Sequence, residues 1–131
     1  MKEQLISSET AKLAKEKGFD EKCLFFYTGD SKELKQINLK GISNSDTISF
    51  CSAPSQSLLQ KWLREKYSIY AESRYNETFN YFEDYVFYNN NYPKPTCIQK
   101  DVHSTYEIGL EFALIEALNF IDSDLVIDNE G

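Results

Sequence analysis

Apolar residues recur at helical spacing in two separate stretches of this chain. In residues 54–67, Pro54 occupies the position favoured in a first helical turn, and apolar residues then follow at i, i+4 and i+5. A single apolar face of this kind is typical of a helix packed against a core. We therefore predict a helix over residues 54–67 with four core anchors, Leu58, Leu59, Trp62 and Leu63.

The second helical stretch starts at Ser104-Thr105-Tyr106-Glu107. These residues have the form of a capping box, in which Ser104 and Glu107 each satisfy a backbone amide at the start of the helix. The helix is expected to run to about Ile121. At 100° per residue its core face comprises Tyr106, Leu110, Ala113, Leu114, Ala117 and Ile121.

This helix also carries an outer stripe, which we define as Ile108, Phe112 and Ile115. The outer stripe lies on the far side of the helix from the predicted core face, and glutamates flank it. A helix that is apolar on two faces is expected to be covered on both. We predict a partner-binding or self-association surface here, unless the first helix or residues 125–127 cover it. Its residues are Ile108, Phe112, Ile115, Glu107 and Glu111.

The patterns in the rest of the chain predict strands and one short helix. An aromatic run at residues 23–28 predicts a strand buried on both faces, and a second strand is predicted at residues 34–39. Residues 69–75 and 79–88 predict a β-hairpin, followed by a proline-containing loop at residues 89–95. A short helix is expected to begin at Ser7 or Ser8 and to end at Gly18.

These elements together predict an α+β fold. We expect one antiparallel sheet of about four strands, with the two main helices on one face and the short amino-terminal helix at the edge. A chain of 131 residues suits a single core. The predicted organisation is one domain over residues 1–121 and an acidic tail over residues 122–131.

Charge is distributed unevenly along the chain, whose net charge is -7. Residues 1–100 hold 14 basic and 13 acidic side chains, whereas residues 101–131 hold eight acidic side chains and no lysine or arginine. An acidic surface repels phosphate backbones, so this part of the chain argues against nucleic-acid binding. It suits either a solubilising surface or a surface that meets a basic partner.

The chain shows no apolar segment long enough to span a membrane and no signal-peptide pattern, which predicts a cytoplasmic protein. Three cysteines at wide spacing predict reduced thiols rather than a disulfide framework. With one histidine and no close cysteine pair, neither a metal site nor a cofactor is predicted. No glycine-rich phosphate-binding motif is present.

Three patterns could still carry chemistry. Cys97 and His103 lie six residues apart across a predicted loop, and they would form a thiol and base pair if the fold brought them together. Glu83 and Asp84 are adjacent, so in a strand they face opposite sides and cannot share a substrate. The tyrosine-rich hairpin could stack single-stranded bases. Such a surface also needs lysine or arginine beside the rings, and none lies between Tyr75 and Tyr92, so protein contact is the better interpretation.

Two segments resemble a family of short uncharacterised proteins from phages, prophages and mobile elements of gut bacteria. They are S-A-P-S-Q-S-L-L-Q-K-W-L-R-E-K-Y-S-I-Y at residues 52–70 and T-Y-E-I-G-L-E-F-A-L-I-E-A-L-N-F-I at residues 105–121. In that family the two blocks recur as a tryptophan helix and a carboxy-terminal Tyr-Glu helix. The resemblance implies a mobile-element setting and a cytoplasmic location in a bacterial host. It carries over no activity and no catalytic residue.

Three functional hypotheses follow from the sequence. The first is a small non-catalytic protein-interaction module that uses the outer stripe. The second is an acidic inhibitor or nucleic-acid mimic that acts on a host defence or DNA-processing protein, which requires the eight carboxy-terminal acids to line one surface. The third is a small thiol hydrolase that uses Cys97 and His103.

Overall fold

The computed structural model describes residues 4–28, 33–36, 41, 43–46, 50–88 and 96–121. Three helices lie in this part of the chain: α1 (Ser8–Glu16), α2 (Gln56–Tyr67) and α3 (Tyr106–Phe120). Its strands are β1 (Phe25–Thr28), β2 (Leu34–Gln36), β3 (Phe50–Ser52), β4 (Ile69–Asn76), β5 (Tyr81–Tyr88) and β6 (Thr96–His103).

The α+β class predicted from the sequence is correct, but the predicted sheet is not. The strands form two antiparallel three-stranded sheets, ordered β2-β1-β3 and β4-β5-β6, instead of one sheet of about four strands. Helix α2 lies between the two sets of strands in the sequence. The strands before α2 pair with one another, and so do the strands after it. The second sheet also contains β6, which the sequence pattern did not predict.

The chain divides into two compact units, Met1–Leu58 and Leu59–Gly131. Helix α2 begins in the first unit and continues in the second. The division into a domain of residues 1–121 and a tail stays a prediction, and residues 122–131 lie outside the described residues.

In the first unit, α1 begins and ends as the sequence predicts. The Ser7 hydroxyl accepts a hydrogen bond from the Thr10 amide at 3.2 Å, and Gly18 follows the helix with a φ of +95°. Glycine adopts this left-handed conformation without steric cost, which explains why the helix stops there. Lys15 then ties the helix to β3, because its Nζ donates to the Phe50 carbonyl at 2.7 Å.

The first sheet is thinner than the sequence predicts. Residues Phe25–Thr28 are only partly buried, so the strand is not enclosed on both faces. Strand β2 comprises Leu34–Gln36 and is exposed, and residues 37–39 of the predicted second strand lie outside the described residues. A 3-10 turn at Asn44–Asp46 supports β3, because the Asn44 side chain donates to the Phe19 carbonyl and accepts from the Ser52 amide.

Helix α2 begins at Gln56, two residues later than the proline suggests. The Ser55 hydroxyl accepts a hydrogen bond from the Leu58 amide at 3.1 Å, so Ser55 caps the helix and Pro54 precedes it. Pro54 was therefore wrongly placed in the first helical turn. Of the four predicted anchors, Leu59, Trp62 and Leu63 are buried, and Leu58 is partly exposed.

In the second unit, α3 packs against all three strands of the sheet. Strands β4 and β5 form the predicted hairpin, with a turn at residues 77–80 in which Asn80 has a φ of +58°. The face beneath α3 is closed by buried side chains at alternate positions of both strands. These residues are Ile69, Ala71, Ser73, Asp84 and Val86.

Helix α2 also protects the outer edge of this sheet. Gln60, which follows the buried anchor Leu59, donates its side-chain amide to the Ala71 carbonyl at 2.6 Å. An unpaired carbonyl on an edge strand is a template for unwanted pairing with another chain. Gln60 satisfies one such group on β4.

Strand β6 completes the sheet where the sequence suggested only loop. It pairs antiparallel with β5, and its register shifts between Glu83 and Tyr85. Glu83 lies opposite Val102 and Tyr85 lies opposite Gln99, so β6 holds one residue more than β5 across this interval. The predicted loop at residues 89–95 lies outside the described residues.

Candidate interaction surface

Helix α3 is fixed at its start by a different residue from the one the capping-box pattern predicted. Thr105 has extended backbone angles, and its hydroxyl accepts a hydrogen bond from the Ile108 amide at 3.1 Å. Thr105 is therefore the N-cap, and Ser104 is an exposed residue before it. Both residues fit the cap pattern chemically, and the turn that follows β6 selects the second.

The inner face of α3 packs on the sheet much as the helical projection predicts. Tyr106 is the exception, because its position at the first turn leaves it exposed, with its ring in an edge-to-face contact with Phe82 at a centroid distance of 6.2 Å. Gly109 and Leu118 are also buried, although the helical projection did not include them in the core face. The buried inner residues are Gly109, Leu110, Ala113, Leu114, Ala117, Leu118 and Ile121.

The outer stripe lies outside the buried inner face of α3, but it does not point wholly away from the sheet, because Phe112 contacts His103 of β6. Ile108 is 43% exposed and Phe112 is 48% exposed, whereas Ile115 is partly buried. Glu107 is exposed beside Ile108, and Glu111 is partly exposed beside Phe112. Exposed apolar area costs roughly 25 cal/mol per Å² relative to its burial, so covering these side chains would be favourable.

Phe112 is held in place by an aromatic contact with β6. Its ring stacks on the His103 imidazole, with centroids 4.6 Å apart and planes inclined by 22°. One face of the Phe112 ring therefore rests on His103. Stacked aromatic pairs contribute about 0.5–1.5 kcal/mol beyond the area they bury, which limits the rotamers available to Phe112.

His103 is in turn held by a buried carboxylate. Its Nε2 lies 2.8 Å from Oδ1 of Asp84, and the two side chains are 6% and 1% exposed. The residues come from the adjacent strands β6 and β5. A hydrogen bond between two enclosed side chains is costly to break, so this pair fixes the orientation of the imidazole under Phe112.

A glycine allows α3 to approach the sheet beside this pair. A Cβ atom built on Gly109 would lie 2.5 Å from the Ser73 Oγ and 3.5 Å from the His103 Cδ2. The first distance is below any real contact of a Cβ atom, so no larger residue fits without a shift. Ser73 lies directly opposite Asp84 on β4, which places these groups together beneath one turn of the helix.

Sequence reasoning missed this buried cluster of Ser73, Asp84, His103 and Gly109. Asp84 was considered only as one of two adjacent acids, and its separation from Glu83 onto the opposite face is what buries it. Residues 96–103 lack clear strand alternation, so the sequence predicts a loop that contains His103. The one available indication was a lone histidine just before a helix cap, which does not identify a partner.

Further exposed aromatic residues lie on the β4–β5 hairpin and at the start of α3. Tyr75 contacts Phe82 with ring centroids 5.1 Å apart, and Phe82 contacts Tyr106. Phe79, in the hairpin turn, is exposed and stacks on Tyr81. The second unit thus exposes six large apolar or aromatic side chains near β6, the hairpin turn and α3. They are Tyr75, Phe79, Val102, Tyr106, Ile108 and Phe112.

The structure does not bring Cys97 and His103 together. Both lie in β6, six residues apart, and a strand rises about 3.3 Å per residue, so their backbones are separated by roughly 20 Å. The side chain of Cys97 is outside what the structure describes, whereas His103 is occupied by Asp84 and Phe112. The geometry gives no support to a thiol and base pair.

The carboxylates of α3 do not gather on one side. Projected at 100° per residue, Glu107 and Glu111 lie near each other, and Glu116 lies on another part of the helix surface. Asp122, Asp124, Asp128 and Glu130 lie outside the described residues. Within the described ranges, no three histidine, cysteine or carboxylate side chains are grouped so that they could hold a metal ion.

The sheet face turned away from α3 is also rich in aromatic residues. The Arg74 guanidinium lies 4.9 Å from the Tyr85 ring centroid and 4.6 Å from that of Phe87, and it pairs with Glu72 at 2.8 Å. The Tyr85 hydroxyl donates to Glu83 at 3.0 Å. Arg74 therefore lies against the ring faces that a stacked base would use, with a carboxylate at its side.

No protein-family model matches the chain, and neither does any curated protein or solved structure. Among the helices in the described part of the chain, none is long and apolar enough to cross a membrane.

Proposed function

We propose that this protein is a small non-catalytic interaction module that binds another polypeptide through the outer stripe of α3. The main support is the environment of Phe112. This large aromatic side chain is about half exposed, while one side of its ring rests on His103. Aromatic side chains at the centre of an interface supply most of its binding free energy. An anchor whose orientation is already fixed loses little entropy when it is bound.

The support beneath Phe112 favours recognition over catalysis. His103 is bonded to Asp84 and covered by Phe112, so little of its imidazole is accessible to a substrate. A general base must reach the proton it abstracts within hydrogen-bonding distance. The buried pair is better suited to hold the surface in one shape than to transfer a proton.

Charge favours a partner other than a second copy of the chain. Helix α3 holds three glutamates and no lysine or arginine. Two copies paired through the outer stripe would bring Glu107 and Glu111 of each close to those of the other, and like charges at an interface cost binding free energy. A partner with an apolar groove and basic residues at its rim would complement this surface.

The setting of this module is part of the same proposal. The resemblance of residues 52–70 and 105–121 to proteins of phages, prophages and mobile elements supports an origin in such an element and a cytoplasmic location in a bacterial host. The partner would then be a protein of the host or of the element itself. Nucleic acid is a less suitable ligand, because the acidic α3 and the Arg74–Glu72 pair both oppose phosphate.

Two matched substitutions, each replacing an exposed aromatic residue by aspartate, test the proposal. Phe112→Asp places a charge in the outer stripe, and Tyr70→Asp places the same charge at an exposed aromatic position on the opposite face of the sheet. Each variant and the parent chain would be used to capture proteins from a bacterial host lysate, with capture quantified by mass spectrometry. We expect one discrete protein to be captured by the parent and by Tyr70→Asp and lost with Phe112→Asp.

Thermal melts monitored by circular dichroism would check that Phe112→Asp remains folded. Sedimentation of the parent chain would give its mass, which we expect to be that of a monomer. Capture of the same proteins by folded Phe112→Asp and by the parent would contradict the proposal. If the parent chain is a dimer and Phe112→Asp converts it to a monomer, the partner that binds the outer stripe is a second copy of this chain and not another protein.

A further inference from the structure

The first unit contains an open groove that the interaction surface does not use. Its volume is about 600 Å³, which lies within the range of roughly 300–1,000 Å³ common for sites that hold small molecules. Four separate stretches of the sequence build its walls: the amino-terminal segment, residues 22–25, β2 and the start of α2. The lining residues discussed below are Leu5, Lys22, Cys23, Leu24, Leu34 and Leu58.

Backbone hydrogen bonds hold these walls together. The amino-terminal strand segment pairs with the entry to α2, since the Ile6 amide donates to the Pro54 carbonyl at 3.1 Å and the Gln56 amide to the Gln4 carbonyl at 2.7 Å. The Ala53 amide donates to the Phe25 carbonyl at 2.8 Å. The groove is therefore framed by fixed backbone rather than by side chains alone.

The walls are apolar and accessible. Leu24 and Leu34 are each close to half exposed, and Leu58, a predicted core anchor, faces this groove with part of its surface uncovered. Apolar side chains that surround a concavity of this size are unfavourable in contact with water. A ligand with an apolar body would bury them.

The charged and polar groups of the groove define the rest of the ligand. Lys22 is the one charged residue among the described lining residues, and the first turn of α2, which holds no acidic residue, adds the positive end of its dipole. Cys23 contributes no negative charge, because burial raises the pKa of its thiol to about 11. Glu21 lies nearby, is exposed and does not line the groove.

We propose that this groove binds a small amphipathic carboxylate, with an unbranched or compact apolar body against Leu24, Leu34 and Leu58 and its carboxylate at Lys22. The apolar walls provide most of the affinity, and the cation selects the sign of the head group. The neutral, buried thiol of Cys23 is packed as an apolar side chain and takes part in no reaction. This site is independent of the outer stripe of α3.

Decanoate is a suitable probe for the full chain, with decylamine as the matched cation. We expect saturable one-to-one binding of decanoate by calorimetry, at least tenfold tighter than that of decylamine. Shortening the chain to nonanoate and octanoate should weaken binding by about fourfold per buried methylene. Amide chemical shifts measured by NMR during the titration should change at Cys23, Leu24 and Leu58 before others.

Two lysine substitutions test the placement of the carboxylate. Lys22→Ala should weaken decanoate binding several-fold and should strengthen decylamine binding, because the repulsion between two cations is lost. Lys12→Ala, at an exposed position on α1, should alter neither. Equal binding of decanoate and decylamine, an equal effect of the two substitutions, or shifts centred away from Cys23–Leu24 would overturn the proposal. Absence of saturable binding of decanoate to the parent chain would also overturn it, whatever the variants do.

Discussion

His103 Nε2 and Asp84 Oδ1 lie 2.8 Å apart across the two neighbouring strands β5 and β6, beneath helix α3. Both side chains are almost fully enclosed. The same imidazole supports the exposed ring of Phe112, so one buried pair links the second sheet to the outer stripe. The stability of this unit and the shape of its candidate surface should therefore depend on the same two residues.

Breaking the pair from either side should destabilise the fold. We expect Asp84→Asn and His103→Gln each to lower the free energy of unfolding by about 1.5–3 kcal/mol, because each leaves a buried polar group with an altered partner. The double variant should lose less than the sum of the two, with a coupling of about 1 kcal/mol or more. Urea unfolding of the four proteins gives this coupling, and additive losses would show that the contact contributes nothing.

Gly109 should resist even the smallest side chain. In an exposed helix, Gly→Ala stabilises by about 1 kcal/mol, but here the new Cβ would meet the Ser73 Oγ at 2.5 Å. We expect Gly109→Ala to lower stability by about 1–2 kcal/mol as a net effect of overpacking.

Removing the Ser73 hydroxyl should relieve that strain. Within the described part of the chain the buried Ser73 Oγ has no hydrogen-bond partner, so Ser73→Ala alone should be neutral or slightly stabilising. In the Ser73→Ala background, Gly109→Ala should cost less than it does alone. If the two costs are equal in thermal melts, Ser73 is not the group that limits the approach of α3.

The start of α3 gives a direct comparison of two neighbouring hydroxyls. Thr105 accepts the Ile108 amide, and Ser104 precedes the cap. Thr105→Ala should cost about 1 kcal/mol of stability, whereas Ser104→Ala should change it by less than about 0.5 kcal/mol. Chemical denaturation resolves this difference. The reverse order would restore Ser104 as the cap, as the capping-box pattern predicted.

Cys23 should make stability depend on alkaline pH. Burial, aided by the carboxylate of Glu21, raises the pKa of its thiol to about 11, while the Ser52 hydroxyl opposes the shift. The unfolded chain releases this proton first, near its ordinary pKa of about 8.5, so stability is complete below that pH and falls as pH rises toward 11.

A Cys23→Ala variant isolates this contribution. Its stability should fall less than that of the parent between pH 8 and pH 10.5, as measured by urea unfolding at each pH. Burial also raises the pKa of Tyr67, but that contribution is the same in both proteins and cancels in the comparison. Parallel curves for the two proteins would mean that the thiol ionises equally in the folded and unfolded chains.

The helices could be predicted from the sequence because their determinants are local. Three of the four anchors of α2 are buried, and five of six residues expected on the inner face of α3 are buried. The cap of α3 was predicted within one residue, since Ser104 and Thr105 are chemically alike, whereas α2 begins two residues after its predicted start at Pro54. The prediction that Tyr106 lies on the core face was wrong, because a helical projection does not show where the sheet beneath the helix ends.

The sheets could not be predicted in full, because strand pairing depends on distant residues. Strand β6 has little alternation of its own and is stabilised by its register with β5, including the extra residue between Gln99 and Val102. Without β6 the sequence placed His103 in a loop. The hydrogen bond between His103 and Asp84 could therefore not be predicted from the sequence, and neither could the close approach of Gly109 to Ser73.

Photo-crosslinking inside a bacterial host can show whether Phe112 anchors a protein interface. Benzoylphenylalanine would replace Phe112 in one protein and Tyr70, an exposed aromatic on the opposite sheet face, in another. We expect one discrete crosslinked protein from position 112 and none from position 70. No crosslink at position 112, or the same crosslinks from both positions, would contradict it.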